Sequence, residues 1–255
     1  MLSLSNVNIS IGDLQLAKGF NLEMKGGEVS VLIGPNGTGK STLLNAIFGE
    51  LALDEGTITL ETLRCEKKAL SQWRKHIAYM PQDIKLDARL TALEVVLLGR
   101  IDALSFRIDE QMMHDAMTVM YELGIENLAN RDVSHLSGGQ CQMVLFAQAL
   151  MRQPSLMMLD EPVSALDLHY QQVLLEQVVT RTKQTNCVTL TVLHDLNLAA
   201  QYGDNLILVK DGVVVAQGSP AQVLTNEHIY FAYGVNVEVT YDSQQIPFIR
   251  TLRRA

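Results

Sequence analysis

Gly34-Pro-Asn-Gly-Thr-Gly39-Lys40-Ser41 carries the spacing G-x-x-x-x-G-K-[ST], and the residues on either side decide how it is read. Val29-Ser-Val-Leu-Ile33, just before it, is a short apolar run rich in β-branched residues and reads as a buried strand. Thr42-Leu-Leu-Asn-Ala-Ile-Phe-Gly49, just after it, reads as a helix closed by a glycine. A glycine loop between a strand and a helix is the setting in which this spacing binds phosphate. Gly34, Gly37 and Gly39, interleaved with Pro35, Asn36 and Thr38, let backbone N–H groups close around phosphate oxygens, and the helix start adds positive potential. Lys40 is then expected to reach the β- and γ-phosphates of a nucleotide, and the Ser41 hydroxyl to bind Mg²⁺.

The rest of the chain sets limits. Its 255 residues can bury a full core. No apolar run approaches the length of a bilayer span; Val95-Val-Leu-Leu98 is among the longest. The start, Met1-Leu-Ser-Leu-Ser-Asn, lacks the basic opening and long apolar stretch of a secretory signal. The expectation is a cytosolic protein. Cys65, Cys141 and Cys187 suit that compartment, since they are odd in number, widely spaced, and form neither a metal pattern nor a disulfide framework. A net charge of −8 argues against nucleic acid as a partner. The short basic runs at 64–68, 74–76 and 253–254 read as solvated faces or a tail.

Along the chain, residues 1–33 hold short alternating stretches broken by Gly12, Gly19 and Gly26-Gly27, which read as a small antiparallel sheet. Gly56-Thr-Ile-Thr-Leu60 is expected to return to it. From about 85 to 135 the pattern turns helical. Asp109 is placed to cap a helix with apolar positions Met112, Met113, Ala116, Met117, Met120 and Leu123, ending at Gly124. Strand–helix alternation then resumes, with strands at 156–159 and 188–193 and helices at 167–184 and 195–202. A hairpin follows across Lys210-Asp-Gly212, and a last one is expected within about 235–255. The expected fold is α/β: a mainly parallel nucleotide-binding core, an antiparallel β subdomain, and an α-helical subdomain inserted at about 85–150.

Three further clusters fit the phosphate loop. Asp160-Glu161-Pro162 ends an apolar strand, and parallel strands deliver their carboxyl ends to the ligand crevice. Asp160 is placed to hold Mg²⁺ through water, and Glu161 to polarise a water attacking the γ-phosphate. Alone, the two acids could equally cap the next element. Leu136-Ser137-Gly138-Gly139-Gln140 opens a second helix with a capping serine and two glycines, a second anion-binding helix start. With only one Lys40 to serve two such starts, each copy would offer two different half-sites. His194, directly after a strand, can bring an imidazole to the γ-phosphate.

Taken together these stretches resemble the ATP-binding cassette (ABC) family over nearly the whole chain. The resemblance comprises the Walker A loop 34–42 (Gly34 to Thr42), the Q-loop Tyr79-Met-Pro-Gln82, the signature Leu136-Ser-Gly-Gly-Gln140, Walker B at 156–161, the D-loop Ser164-Ala-Leu-Asp167 and the switch His194, in the family's order. It implies an ATPase in which two copies pair head to tail. Each ATP would then lie between the phosphate loop of one copy and Ser137, Gly138, Gly139 and Gln140 of the other. Gln82 would contact Mg²⁺ and the attacking water and sense a membrane partner. The chain departs from the family at Ile11, where an aromatic residue usually stacks on adenine, and at Cys141, Met143 and Val163.

Three classes of function remain: the energy-coupling subunit of a membrane importer, a soluble cassette machine, and a binding-only module. A soluble machine would favour a long coiled coil or a second cassette, and a binding-only module would favour loss of Lys40, Glu161 or His194. The chain has neither feature, so the importer is the expectation, working on the inner face of the cell membrane with integral-membrane permease subunits and a secreted binding protein. Val95-Val-Leu-Leu-Gly-Arg100, 194–202, 211–218 and Tyr233-Gly-Val235 are similar to the iron-siderophore, haem and cobalamin group. Ferric siderophore is the expected cargo, with haem or cobalamin as alternatives.

Overall fold

The computed structural model describes residues 1–82, 89–103 and 109–253, with side chains at 101–103 left aside. Residues 85–88 and 104–108 of the expected helical stretch, and Arg254 of the basic tail, fall outside the described residues.

Strands β1 (Leu2–Ile11), β2 (Leu14–Met24), β4 (Glu55–Leu60) and β5 (Leu63–Arg64) form an antiparallel sheet in the order β2-β1-β4-β5. A second sheet takes β3 (Val29–Ile33), β6 (Ile77–Met80), β7 (Leu156–Asp160), β8 (Val188–Val192), β9 (Asn205–Lys210) and β10 (Val213–Gly218) in the order β10-β9-β3-β8-β7-β6. It is parallel throughout except where β10 returns against β9. That hairpin turns on Asp211 and Gly212, both at positive φ (50° and 76°), as a tight turn between twisted strands requires.

β3 shows why its sequence is apolar at almost every position. Val29, Val31 and Ile33 face one core, Leu32 faces the other, and all five residues are buried. Both faces of the sheet are covered, so alternation gives way to a continuous apolar run. One face carries α1 (Lys40–Phe48), α2 (Leu70–Lys75) and the antiparallel sheet; the other carries α5 (Gly138–Met151) and α6 (Leu168–Thr185). Ser30 is tolerated there because Asn205 Nδ2 donates to its hydroxyl at 3.1 Å.

Helices α3 (Ala92–Leu97), α4 (Glu110–Glu122) and α5 pack on one another. Asp109 and Ser137 cap as expected, accepting from Met112 N–H at 2.7 Å and Gln140 N–H at 3.3 Å, and Thr91 caps α3 by accepting from Glu94 N–H. On α4, Met112, Ala116 and Met120 are buried while Met113 stays 39% exposed, so the methionine pattern is mostly packing.

The chain finishes with α7 (Leu196–Tyr202), α8 (Pro220–Val223), α9 (Asn226–Tyr233) and the hairpin β11 (Val237–Tyr241) and β12 (Pro247–Thr251). Asn197 on α7 holds the hairpin by its backbone. Its Oδ1 accepts from Ile249 N–H at 2.7 Å and its Nδ2 donates to Ile249 O at 3.3 Å. No helix among the described residues is long and apolar enough to cross a membrane.

Trp73 joins α2 to the end of α1. It is 1% exposed, and its indole N–H donates to Ile47 O at 2.8 Å. Trp73→Ala is expected to cost about 3–5 kcal/mol. Trp73→Phe, which keeps a ring but orphans the carbonyl, should cost about 1–2 kcal/mol. Urea unfolding followed by circular dichroism checks both, and equal midpoints for the two variants would contradict the assignment.

Candidate nucleotide site

The carboxyl ends of β3, β7 and β8 point the same way, as parallel strands must, and the start of α1 meets them there. They bound an open cleft lined by Leu16, Asn36, Gly37, Gly39, Lys40, Ser41, Thr42, Gln82, Glu161 and His194. Residues far apart in sequence converge on it.

α1 begins without a side-chain cap, on Gly39 at φ 85°. The other long helices start on Asp109, Ser137, Asp167 and Thr225, whose side chains accept from the first turn. The first N–H groups of α1 are therefore left for an outside acceptor, the condition for binding an anion. Gly39 is also constrained from outside the loop. A Cβ there would lie 3.0 Å from Leu16 Cβ, so β2 presses on the loop at that point.

Lys40 is 6% exposed, and burial pushes its ammonium below the usual lysine range while Glu161 and Asp160 pull it back up. Its Nζ donates to Gly34 O at 2.9 Å and Pro35 O at 2.8 Å. The charge is thus parked on the carbonyls of its own loop.

Asp160 is 2% exposed at the end of β7. Burial pushes its carboxyl above the usual aspartate range, with the nearby Ser41 hydroxyl and Lys40 ammonium working the other way. Its Oδ1 is buried and has no hydrogen-bond partner. Glu161 follows at φ 51°, a left-handed conformation that costs a non-glycine residue on the order of 1 kcal/mol. Gln142 of α5 holds the turn in that shape: its Nε2 donates to Glu161 O at 3.2 Å, and its Oε1 accepts from Ala165 N–H at 3.3 Å. Both carboxylate oxygens of Glu161 are engaged. Gln82 Nε2 donates to Oε2 at 2.7 Å, and His194 Nε2 contacts Oε1.

Ser137, Gly138, Gly139 and Gln140 do not reach this cleft. Ser137 and Gln140 close a reciprocal capping box, Gln140 Oε1 accepting Ser137 N–H at 3.1 Å. Gly139 has a reason inside the chain, since a Cβ there would meet Ala165 O at 2.9 Å. Asp167 caps α6, its Oδ1 accepting Tyr170 N–H at 3.0 Å, and is likewise absent from the cleft lining.

Two residues of the site escape a reading of the sequence. Leu16 replaces Ile11 in the cleft wall; Ile11 is 53% exposed near the hairpin turn. The alternating pattern of β2 marks Leu16 only as a strand position. Gln142 looks like one more polar residue in a helix, and nothing local announces its bonds to the Glu161–Ala165 turn. Met143, where an arginine is common in the family, is 1% exposed in the core.

Residues 17–164 match the sequence model of the ABC transporter family. The chain is 37% identical over 257 residues to a hemin import ATP-binding protein HmuV of Plesiomonas shigelloides, covering 92% of this chain and 95% of that one. It is 35% identical over 251 residues to HmuV of Escherichia coli O157:H7, covering 95% of each. An ATP-binding cassette solved as a dimer in a post-hydrolysis state with ADP and Pi is 30% identical, with a TM-score of 0.78 over 86% of this chain and 99% of that one. An inward-facing putative metal-chelate type ABC transporter superposes with a TM-score of 0.83 over 99% of this chain and 97% of that one, at 24% identity, which speaks for the fold alone. The chain belongs to the ABC transporter family, as an ATPase of its importer group.

Proposed function

We propose that two copies of this chain clamp ATP between the cleft of one and the Ser137–Gln140 helix start of the other, and that this closure drives a haem importer. The observation that carries the clamp is the division of the site. The cleft gathers Lys40, Ser41, Gln82, Glu161 and His194, while Ser137, Gly138, Gly139, Gln140 and Asp167 stay outside it. A second copy supplies what the cleft lacks. The dimeric relative with ADP and Pi supports this reading.

ATP phosphates would accept from the free N–H groups of Gly37 to Thr42 and draw Lys40 Nζ away from Gly34 O and Pro35 O. Ser41, Asp160 and Gln82 are the residues to hold Mg²⁺. The buried, unpartnered Asp160 Oδ1 fits that ion. When bound, Mg²⁺ would neutralise charge on the β- and γ-phosphates. Glu161, once freed from Gln82, takes a proton from the attacking water, and His194 stays within reach of the γ-phosphate.

The cassette works at the inner face of the membrane with permease subunits, and with a secreted binding protein on the far side. Ferric siderophore is the cargo expected from sequence wording, but the HmuV relatives support haem first.

Glu161→Gln should bind ATP with parental affinity and lose at least about 100-fold in turnover. Parental hydrolysis by that variant would remove Glu161 as base. Asp160 supplies a pH test. Its folded carboxyl lies above the unfolded value, so its ionisation costs native stability as pH rises through the raised value. Asp160→Asn is expected to raise the urea midpoint of the nucleotide-free protein at neutral pH, with the gain shrinking as pH falls toward about 4. A pH-independent difference would contradict this. For the cargo, a deletion strain should fail to grow on haem as sole iron source and still grow on ferric siderophore; the opposite pattern returns the siderophore assignment.

A further inference from the structure

Gln142 is a buried amide that takes no part in lining the cleft. It is 8% exposed in the second turn of α5, followed by the core residues Met143 and Val144. A buried amide in an apolar helix must be matched by particular partners. Those of Gln142 are the two ends of one turn. Its Nε2 donates to Glu161 O at 3.2 Å, and its Oε1 accepts Ala165 N–H at 3.3 Å.

That turn is clamped at several points. Ser164 N–H also donates to Glu161 O at 3.2 Å, and Leu166 N–H donates to Val163 O at 3.2 Å. Gln171 of α6 donates to Leu166 O at 3.0 Å. Gly139, three residues before Gln142, sits so close that an added Cβ would lie 2.9 Å from Ala165 O. The turn, with Glu161 at its start, is therefore fixed against α5. Of these contacts, the Gln142 amide is the one side chain bonded to the Glu161 backbone.

Glu161 needs that bond. Its φ of 51° lies in a region that residues with a side chain rarely occupy. Relaxation to a negative φ would swing its Cα–Cβ bond and carry the carboxylate away from Gln82 Nε2, now 2.7 Å from Oε2, and from His194 at Oε1.

We propose that Gln142 is a positioning residue for ATP hydrolysis: by joining the Glu161 carbonyl to Ala165 N–H it keeps the Glu161 backbone left-handed, and so keeps the base carboxylate aimed into the cleft. It stands outside the cleft and acts only through Glu161. This rests on the ATP reading above and extends it to a residue that the nucleotide does not touch.

The test is a double-mutant cycle on the full chain, combining Gln142→Met with Glu161→Gln. Hydrolysis is followed with labelled ATP, and MgATP affinity by calorimetry. Methionine nearly keeps the volume of glutamine and removes both bonds. In the otherwise parental chain kcat should fall about tenfold, with KM and Kd for ATP within about twofold of the parent. In the Glu161→Gln background the same substitution should leave the residual rate within about twofold, because no base remains to be aimed. Gln142→Asn keeps the amide but is too short to reach both ends of the turn. It should give the same pattern, and it replaces methionine in the cycle if thermal unfolding shows that Gln142→Met is not folded at the assay temperature. Parental kcat in the single variants would overturn the proposal. A second tenfold loss in the Glu161→Gln background, or a rise in Kd matching the fall in kcat, would make Gln142 general packing and overturn it too. Failure of the parent itself to hydrolyse MgATP would instead sink the ATP reading.

Discussion

A lysine ammonium buried to 6% exposure is the constraint around which the cleft is arranged. An ion removed from water must find compensation. Two loop carbonyls supply hydrogen bonds, and Asp160 and Glu161 supply charge. The compensation is incomplete, since the ammonium still sits below its ordinary range. A polyphosphate completes it, and the uncapped start of α1 receives the same anion. The geometry of the sheet follows from this need. Parallel strands with both faces covered bring β3, β7 and β8 to one edge beside a helix start, and that coverage explains their mostly apolar, fully buried sequences.

The acidic side of the cleft is held with similar economy of parts. Glu161 adopts a left-handed backbone that Gln142 braces from α5, and its two oxygens are shared by Gln82 and His194. α5 has two roles at once. Its body fills the core and braces Glu161, while its first turn, Ser137 to Gln140, lies outside the cleft.

Much of this was legible in the sequence because it is local. The strand–loop–helix at 29–48, the caps at Asp109 and Ser137, and the Asp211-Gly212 turn all rest on neighbours within a few positions. The parallel core followed from strands alternating with helices. What stayed hidden depends on contacts across the chain. Leu16 reaches Gly39 because β2 folds over the loop. Gln142 meets Ala165 across 23 residues, and Val29 N–H donates to Asp204 Oδ2 across 175. The glycines of the signature illustrate the same limit. Their spacing suggested room for an anion, whereas Gly139 also makes room for Ala165 of its own chain.

The central claim is that one copy completes the cleft of another. Asn36 and His135 are both exposed, on the phosphate loop and beside the signature. The direct measurement is disulfide crosslinking between Asn36→Cys on one copy and His135→Cys on its mate, with Glu161→Gln to retain ATP and the native cysteines replaced. The account predicts a covalent dimer that forms with MgATP, needs both cysteines, and is absent without nucleotide. A monomer under all conditions, or a dimer indifferent to ATP, would contradict it.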